Sequence, residues 1–292
     1  IVDALAAAGF PDGVVNYLTC SPADAPALVE TLIAHPAIRR VNFTGSTPVG
    51  RIIARTCGEH LKPAILELGG KAPLLVLDDA DLQQAAAGAI FGAFANAGQI
   101  CMSTERIIVD ESIADEFVAL ISQRASALPS TLLGPVVDLK TVQRCNALID
   151  DALSKGAHLL CGGKADSTQM RATLLDGVTR EMRIWHEESF GPVKSVIRVN
   201  DEEEALAVAN DSEYGLAAAV YSRDSARAWN VAQNLQTGIC HINGPTVHDE
   251  AQMPFGGCKS SGYGRFGGRA GIAEFTELRW ITMQTRPREL PF

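Results

Sequence analysis

The sequence predicts an α/β protein: a largely parallel sheet with helices on its faces. Short β-branched runs alternate with helical stretches along the whole chain. Helix-start chemistry marks the joins, as where Pro48 opens one helical run and Asp78-Asp79-Ala80-Asp81 precedes another. No internal repeat or low-complexity segment competes with that reading.

In chain order, residues 1–9 read as a helix that stops at Gly9. It begins in mid-turn with no Met, cap or leader, so the sequence is expected to start inside a larger protein. Residues 38–43 read as a strand and 48–57 as a helix. Strands are expected at 64–68 and 74–77, then a capped helix running to about 97. Residues 106–109, 193–199, 217–221 and 238–242 read as strands, with helices at 115–127, 142–153, 202–210 and 225–235. The glycine-dense stretch 256–271 reads as one long loop.

Composition narrows the class. At 292 residues, two domains are expected, and 47% hydrophobic with 20% charged residues fits a globular chain and excludes a disordered one. The net charge of −9, without any Lys/Arg run, argues against nucleic acid or an anionic membrane surface as partner. The most apolar stretch, 85–95, is far shorter than the ~18 residues of a membrane span. Seven cysteines with no CxxC pair exclude a disulfide framework or zinc ribbon, and a reducing, cytoplasmic setting is expected. Six histidines without HExxH or a cysteine partner predict no metal site.

Five segments carry chemistry. Phe43-Thr44-Gly45-Ser46-Thr47-Pro48-Val49-Gly50 feeds a strand through a tight turn into a helix, either a phosphate site or a plain strand-to-helix turn. Glu67 lies between Leu66 and Leu68 just before Gly69-Gly70. It is either a desolvated general base or a solvent-facing carboxylate paired with Lys71. Cys101, after the Gly98 break, is expected on a turn, as an exposed nucleophile or as one more inert thiol. Cys20, Cys57, Cys145, Cys161, Cys240 and Cys258 are expected to be buried and inert. Glu187-Glu188-Ser189-Phe190-Gly191 either binds a ribose hydroxyl or forms a solvated turn. The glycines around Phe255 suggest a backbone that passes close to something. His241 and His248 either line a pocket or are simply packed.

Taken together and in order, FTGST, LELGGK, GQIC, ESFGPV and PFGGCKSSG resemble the motifs of the aldehyde dehydrogenase superfamily, over essentially the whole chain. The spacing of Glu67 and Cys101 matches that family too. Residues 241–254 and 276–292 are most similar to the vanillin, salicylaldehyde and benzaldehyde dehydrogenases.

The resemblance implies NAD(P)+-dependent oxidation of an aldehyde, aromatic by subfamily, to its acid. Cys101 would attack the aldehyde, the resulting thiohemiacetal would lose hydride to give a thioester, and Glu67 would activate the water that releases it. The Cys101 backbone N–H and an Asn side chain would hold the oxyanion. Thr44, Gly45, Ser46, Val49 and Gly50 would line the pyrophosphate, Glu188 would bond the nicotinamide ribose, and Leu68, Gly69 and Phe190 would lie at the nicotinamide end. NAD is the expected cofactor, with NADP the alternative.

By the same likeness, residues 1–69 would be the C-terminal part of an incomplete Rossmann-like cofactor domain. Residues 70–271 would be the catalytic domain, and a strand at 277–285, within the tail 272–292, would pair with a neighbour in a homodimer or homotetramer. Family members carry a long N-terminal region not found here, including the adenosine-ribose contacts and the oxyanion Asn. The chain alone is therefore expected to fold poorly or bind cofactor weakly. The Gly-Asp-Pro usual before Gly134-Pro135 is missing as well. Two rival readings are a cofactor-independent cysteine esterase or acyltransferase, and a non-catalytic truncated subunit.

Overall fold

The computed structural model describes residues 1–292. The chain opens with α1 (Val2–Ala7) and α2 (Ala25–Ala34). A crossover follows, with β1 (Val41–Thr44), α3 (Thr47–Glu59) and β2 (Ala64–Glu67). β1 and β2 pair in parallel with Thr44 opposite Glu67, so two of the candidate residues leave the sheet side by side.

β3 (Ala72–Val76) begins a second sheet. After it come α4 (Leu82–Phe94), β4 (Thr104–Asp110), α5 (Glu111–Ser126), α6 (Ser130–Leu133), α7 (Leu139–Ser154), β5 (His158–Cys161), β6 (Thr173–Asp176) and α8 (Arg183–His186). β7 (Val193–Val199), α9 (Glu202–Asn210), β8 (Tyr214–Gly215), β9 (Ala217–Tyr221), α10 (Ser225–Asn234) and β10 (Ile239–Ile242) follow. The order β10-β9-β3-β4-β7-β6-β5 is parallel except at β5, which runs against β6. The sequence predicted this α/β class and its mainly parallel sheet, and the structure has both.

Strands β3 and β9 read as unbroken apolar runs because helices cover both faces. Leu75, Ile108 and Val220 point into one core layer, while Leu74, Val76, Ile107, Val109 and Ala219 point into the other. Truncating Leu74 or Ile108 to alanine would cost about 2–5 kcal/mol by opening a cavity in a closed layer.

Near the end of the chain, β11 (Cys258–Lys259) pairs with β8, and β12 (Gly262–Tyr263) adds antiparallel to β2, ahead of α11 (Gly268–Glu274). The stretch 256–271 is thus not one long loop. Its glycines let β12 pass close to β2, where Gly262 lies opposite Glu67.

Other boundaries shift for local reasons. The strand expected at 38–43 forms only at Val41–Thr44, because the Ile38 amide turns back to the His35 carbonyl. α5 and α7 start before 115 and 142, because Asp110 caps Ser112 and Asp138 caps Thr141. α4 ends at Phe94 rather than about 97. α2, β5 and β6 were not foreseen. Residues 277–285 form no strand within the subunit and lie exposed. No helix is long and apolar enough to cross a membrane.

Candidate active site

Cys101 reaches its place through a strained turn. After α4 the residues Ala95–Gly98 kink the chain in a tight turn in which Asn96 (φ 51°), Ala97 (φ 56°) and Gly98 (φ 71°) are all left-handed. Two non-glycine residues in that region cost on the order of 1–2 kcal/mol each, so the surroundings must hold them. Gln99 does part of this, accepting from the Val137 amide at 2.8 Å and donating to the Asn96 carbonyl at 3.1 Å. A Cβ on Gly98 would run into the Gly191 carbonyl oxygen, which ties the turn to the Glu188–Gly191 segment.

Cys101 is half-buried on a turn. Burial pushes its thiol up to about 11, and the charges of Glu188 and Glu67 push the same way. The backbone N–H groups of Cys101 and Met102 oppose them. The two carboxylates singled out in the sequence thus both bear on this sulfur.

Glu67 ends β2 with only 4% of its surface exposed, and neither carboxyl oxygen has a hydrogen-bond partner. Burial lifts its pKa to about 7 against the opposing charge of Arg265. The alternative of a solvent-facing carboxylate paired with Lys71 is overturned: Lys71 Nζ donates to Glu105 Oε2 at 2.7 Å and to the Glu187 carbonyl at 2.7 Å. A buried, unpartnered carboxylate poised near neutrality is what a general base requires.

The LELGGK segment closes around these groups. A Cβ on Gly69 would lie 2.6 Å from Glu188 Oε2, and one on Gly70 would strike the Cys101 carbonyl oxygen. Only glycine permits both approaches. The Gly70 amide donates to Glu188 Oε1 at 2.9 Å, so Glu188 is no solvated turn residue. Burial raises its pKa to about 7, with the Gly70 bond opposing. The Leu68 side chain fills the space over Gly50 in α3, which joins the FTGST turn to the same region.

In that turn the Gly45 amide bonds the Glu67 carbonyl at 3.0 Å. Ser46 is the N-cap of α3, and no side chain caps that end. Val49 is exposed, and Phe190 sits at φ 42° with its ring partly open to solvent.

Several functional neighbours escaped the sequence reading. Ser261 is fully buried, donates to the Gly69 carbonyl at 2.7 Å and accepts from the Gly215 amide at 3.0 Å. Glu105 accepts from Lys71, from Lys194 at 2.5 Å and from the Ser189 hydroxyl at 2.6 Å. The available signal was a charge interrupting an apolar run: Glu105 and Lys194 sit inside strands covered on both faces, where an unpaired charge is not tolerated.

His241 and His248 stand edge to face, ring centroids 5.1 Å apart, in a cavity of about 390 Å³. Its lining residues Ile239 and Phe255 pack against the same small buried cluster, Ala72, Met102, Leu216 and Ala217, that Cys101 packs against. Cys57 and Cys145 are buried as expected. Cys20 is instead exposed, since it precedes α2 in irregular chain, and Cys161, Cys240 and Cys258 are partly buried. No three His, Cys, Asp or Glu side chains converge as metal ligands would.

Known proteins resemble this chain in sequence and in fold. The model of the aldehyde dehydrogenase family matches residues 1–281. A vanillin dehydrogenase of Pseudomonas fluorescens is 59% identical over 291 residues, covering 97% of this chain and 60% of that protein. The crystal structure of a salicylaldehyde dehydrogenase from Pseudomonas putida G7, complexed with salicylaldehyde, superposes with a TM-score of 0.96 at 49% identity, covering 100% of this chain and 62% of that one. An NADP-dependent glyceraldehyde-3-phosphate dehydrogenase from Bacillus halodurans C-125, complexed with NADP, gives a TM-score of 0.89 at 39% identity, over 95% of this chain and 59% of that one. The chain therefore spans about 60% of the length of such relatives.

Proposed function

The chain belongs to the aldehyde dehydrogenase family, and from that premise we propose that its site oxidises an aromatic aldehyde to the carboxylic acid with NAD+ or NADP+. The observation that carries this reading is Glu67: a buried carboxylate with no partner, held near neutrality, whose charge reaches the sulfur of Cys101.

The residues present fit a nicotinamide dinucleotide. α3 is thirteen residues long and its N-terminus carries no side-chain cap, which suits a pyrophosphate beside Thr44, Gly45, Ser46, Val49 and Gly50. The Glu188 carboxylate suits ribose hydroxyls, while Leu68, Gly69 and Phe190 border the nicotinamide end. The chemistry a bound dinucleotide supplies here is acceptance of the hydride.

The chain's own groups do the rest. Burial holds Cys101 toward the thiol, and its proton passes to solvent as the sulfur attacks the aldehyde carbon. The Cys101 backbone N–H would hold the tetrahedral oxyanion. Once the acyl group is held as a thioester, Glu67 takes a proton from water and the hydroxide displaces the sulfur. A thioester is a better acyl donor than an oxygen ester, which is why a sulfur nucleophile and a separate base divide the work. The cavity beside His241 and Phe255 is large enough for a substituted benzene ring, and the names of the two aromatic-aldehyde relatives point the same way.

The assembly reading is ours as well. Leu278, Trp280, Ile281 and Met283 project uncovered, Trp280 with 91% of its surface exposed, and suit pairing with another copy in a homodimer or homotetramer. We divide the chain into a cofactor part (1–69), a catalytic part (70–271) and a tail (272–292). Seven cysteines with no disulfide among them suit a cytoplasmic setting.

The test is reduction of NAD+ or NADP+ by the purified chain with benzaldehyde, vanillin, salicylaldehyde and hexanal. Aromatic turnover that disappears in Cys101→Ala supports the reading. Ester cleavage without any nicotinamide reduction would replace it with the esterase alternative, and a clear preference for hexanal would remove the aromatic assignment.

A further inference from the structure

Glu105 belongs to none of the groups that meet the reactants, yet it joins all three segments that carry them. It stands on β4, which follows Cys101. Its carboxylate receives Lys71, in the short link from Glu67 at the end of β2 to β3, and Lys194, on the strand that follows Phe190. Ser189 donates to it twice, from its amide at 2.9 Å and its hydroxyl at 2.6 Å. Lys71, Glu105, Ser189 and Lys194 are all buried.

The consequence falls on Glu188, which is gripped on both sides. Lys71 Nζ holds the carbonyl of Glu187, the residue before it, and Glu105 holds the amide and hydroxyl of Ser189, the residue after it. The Ser189 carbonyl is fixed in turn by Arg144 Nε at 3.1 Å. Phe190, next along, keeps its left-handed φ of 42° on this anchored base. Arg106, also buried, closes the floor by donating to the carbonyls of Lys71, Val208 and Ala209.

Such an arrangement is expensive to maintain. Two ammonium groups share one buried carboxylate, and buried ion pairs of this kind add little net stability over an apolar replacement. Their value lies in geometry: a carboxylate held by four donors cannot rotate, and neither can the loop hung from it.

We propose that Glu105, with Lys71, Lys194 and Ser189, is a positioning cluster that presents Glu188 and Phe190 to the nicotinamide-ribose half of the dinucleotide. This rests on the reading of Glu188 given under Proposed function. Burial alone would raise the Glu105 pKa, but Lys194 and Lys71 outweigh it and hold it at about 2, so its carboxylate stays ionised across the working pH range.

The experiment measures equilibrium binding of NAD+ and of ADP by calorimetry, without turnover. ADP shares the pyrophosphate but lacks the nicotinamide ribose. Ser189→Ala removes one donor and leaves the backbone bond, so it keeps the fold where Glu105→Gln, which strands two buried lysines, can fail to. The expected result is about a tenfold weaker NAD+ Kd in Ser189→Ala. ADP should bind within twofold of wild type, and Ser189→Thr should recover NAD+ binding. Glu105→Gln, if folded, should weaken NAD+ at least as much. An NAD+ Kd unchanged in Ser189→Ala, or equal losses for NAD+ and ADP, overturns the positioning role alone. A wild-type chain that binds neither ligand overturns the reading of Glu188 and this inference with it.

Discussion

The hydroxyl of Ser261 donates to the carbonyl of Gly69 at 2.7 Å across 192 residues of sequence, and it accepts from the Gly215 amide at 3.0 Å. The Leu68 amide bonds the carbonyl of the same serine at 3.0 Å. One buried side chain from the late glycine-rich segment therefore fixes the backbone immediately after Glu67. Ser261→Ala would leave a buried carbonyl and a buried amide unpartnered. A loss of about 1–3 kcal/mol is expected in urea unfolding. Slower thioester hydrolysis should accompany it, because Glu67 and Glu188 both depend on the Leu68–Gly70 path.

Glu67 gives a prediction in pH. Hydrolysis needs its carboxylate, so the rate should rise through a pKa of about 7. Glu188 titrates near the same value and Cys101 far above it, so the assignment rests on Glu67→Gln. That variant should lose the limb in deacylation and keep any limb that belongs to binding. Stopped-flow acylation and steady-state turnover across pH 5–9 separate the two.

The same group makes a stability prediction with the opposite sense. The folded pKa lies above the ordinary 4.5, so the folded state binds the Glu67 proton more tightly than the unfolded chain. Stability contributed by this group therefore falls as pH rises from about 4.5 to about 7, by on the order of 3 kcal/mol. Glu67→Gln should match wild type near pH 4 and exceed it at pH 8 in denaturant midpoint. An equal difference at both pH values would refute this.

Gly98→Ala should be damaging out of proportion to one methyl group. The position has φ 71°, and the added carbon would meet the Gly191 carbonyl and lie 3.0 Å from that of Ala93. A loss on the order of 2–4 kcal/mol is expected, visible as a lower Tm. Because both colliding segments carry site residues, surviving protein should also show a less reactive Cys101 toward iodoacetamide.

The uncovered tail predicts association. Replacing Trp280 and Ile281 by serine should shift sedimentation toward the monomer and leave the thermal midpoint of the subunit core in place. An unchanged oligomer would remove the tail from the interface.

Much of this was legible in the sequence because each motif has a local physical cause. Asp81 before an alanine-rich run caps α4, and apolar runs such as 217–221 are strands covered on both faces. Cys101 on a turn and Glu67 before two glycines also follow from local chemistry. The rest depends on distant contacts. Nothing near Glu67 says whether it pairs with Lys71, since that is decided by Glu105 drawing the lysine away. Nothing in the glycine-dense 256–271 stretch announces that β12 will join β2, because the edge it joins lies nearly two hundred residues earlier. The helix expected to run to about 97 stops at Phe94 for a tertiary reason too: the left-handed turn at 96–98 is held by Gln99 and packed against Gly191.

The central claim is that Cys101 carries the acyl group and Glu67 releases it. Intact-mass and peptide analysis of Glu67→Gln, quenched after mixing with benzaldehyde and NAD+, reads this directly. The account predicts a benzoyl adduct that builds up on the peptide containing Cys101 and is fleeting in wild type. Nicotinamide reduction with no adduct in the variant, or an adduct on another cysteine, would contradict it.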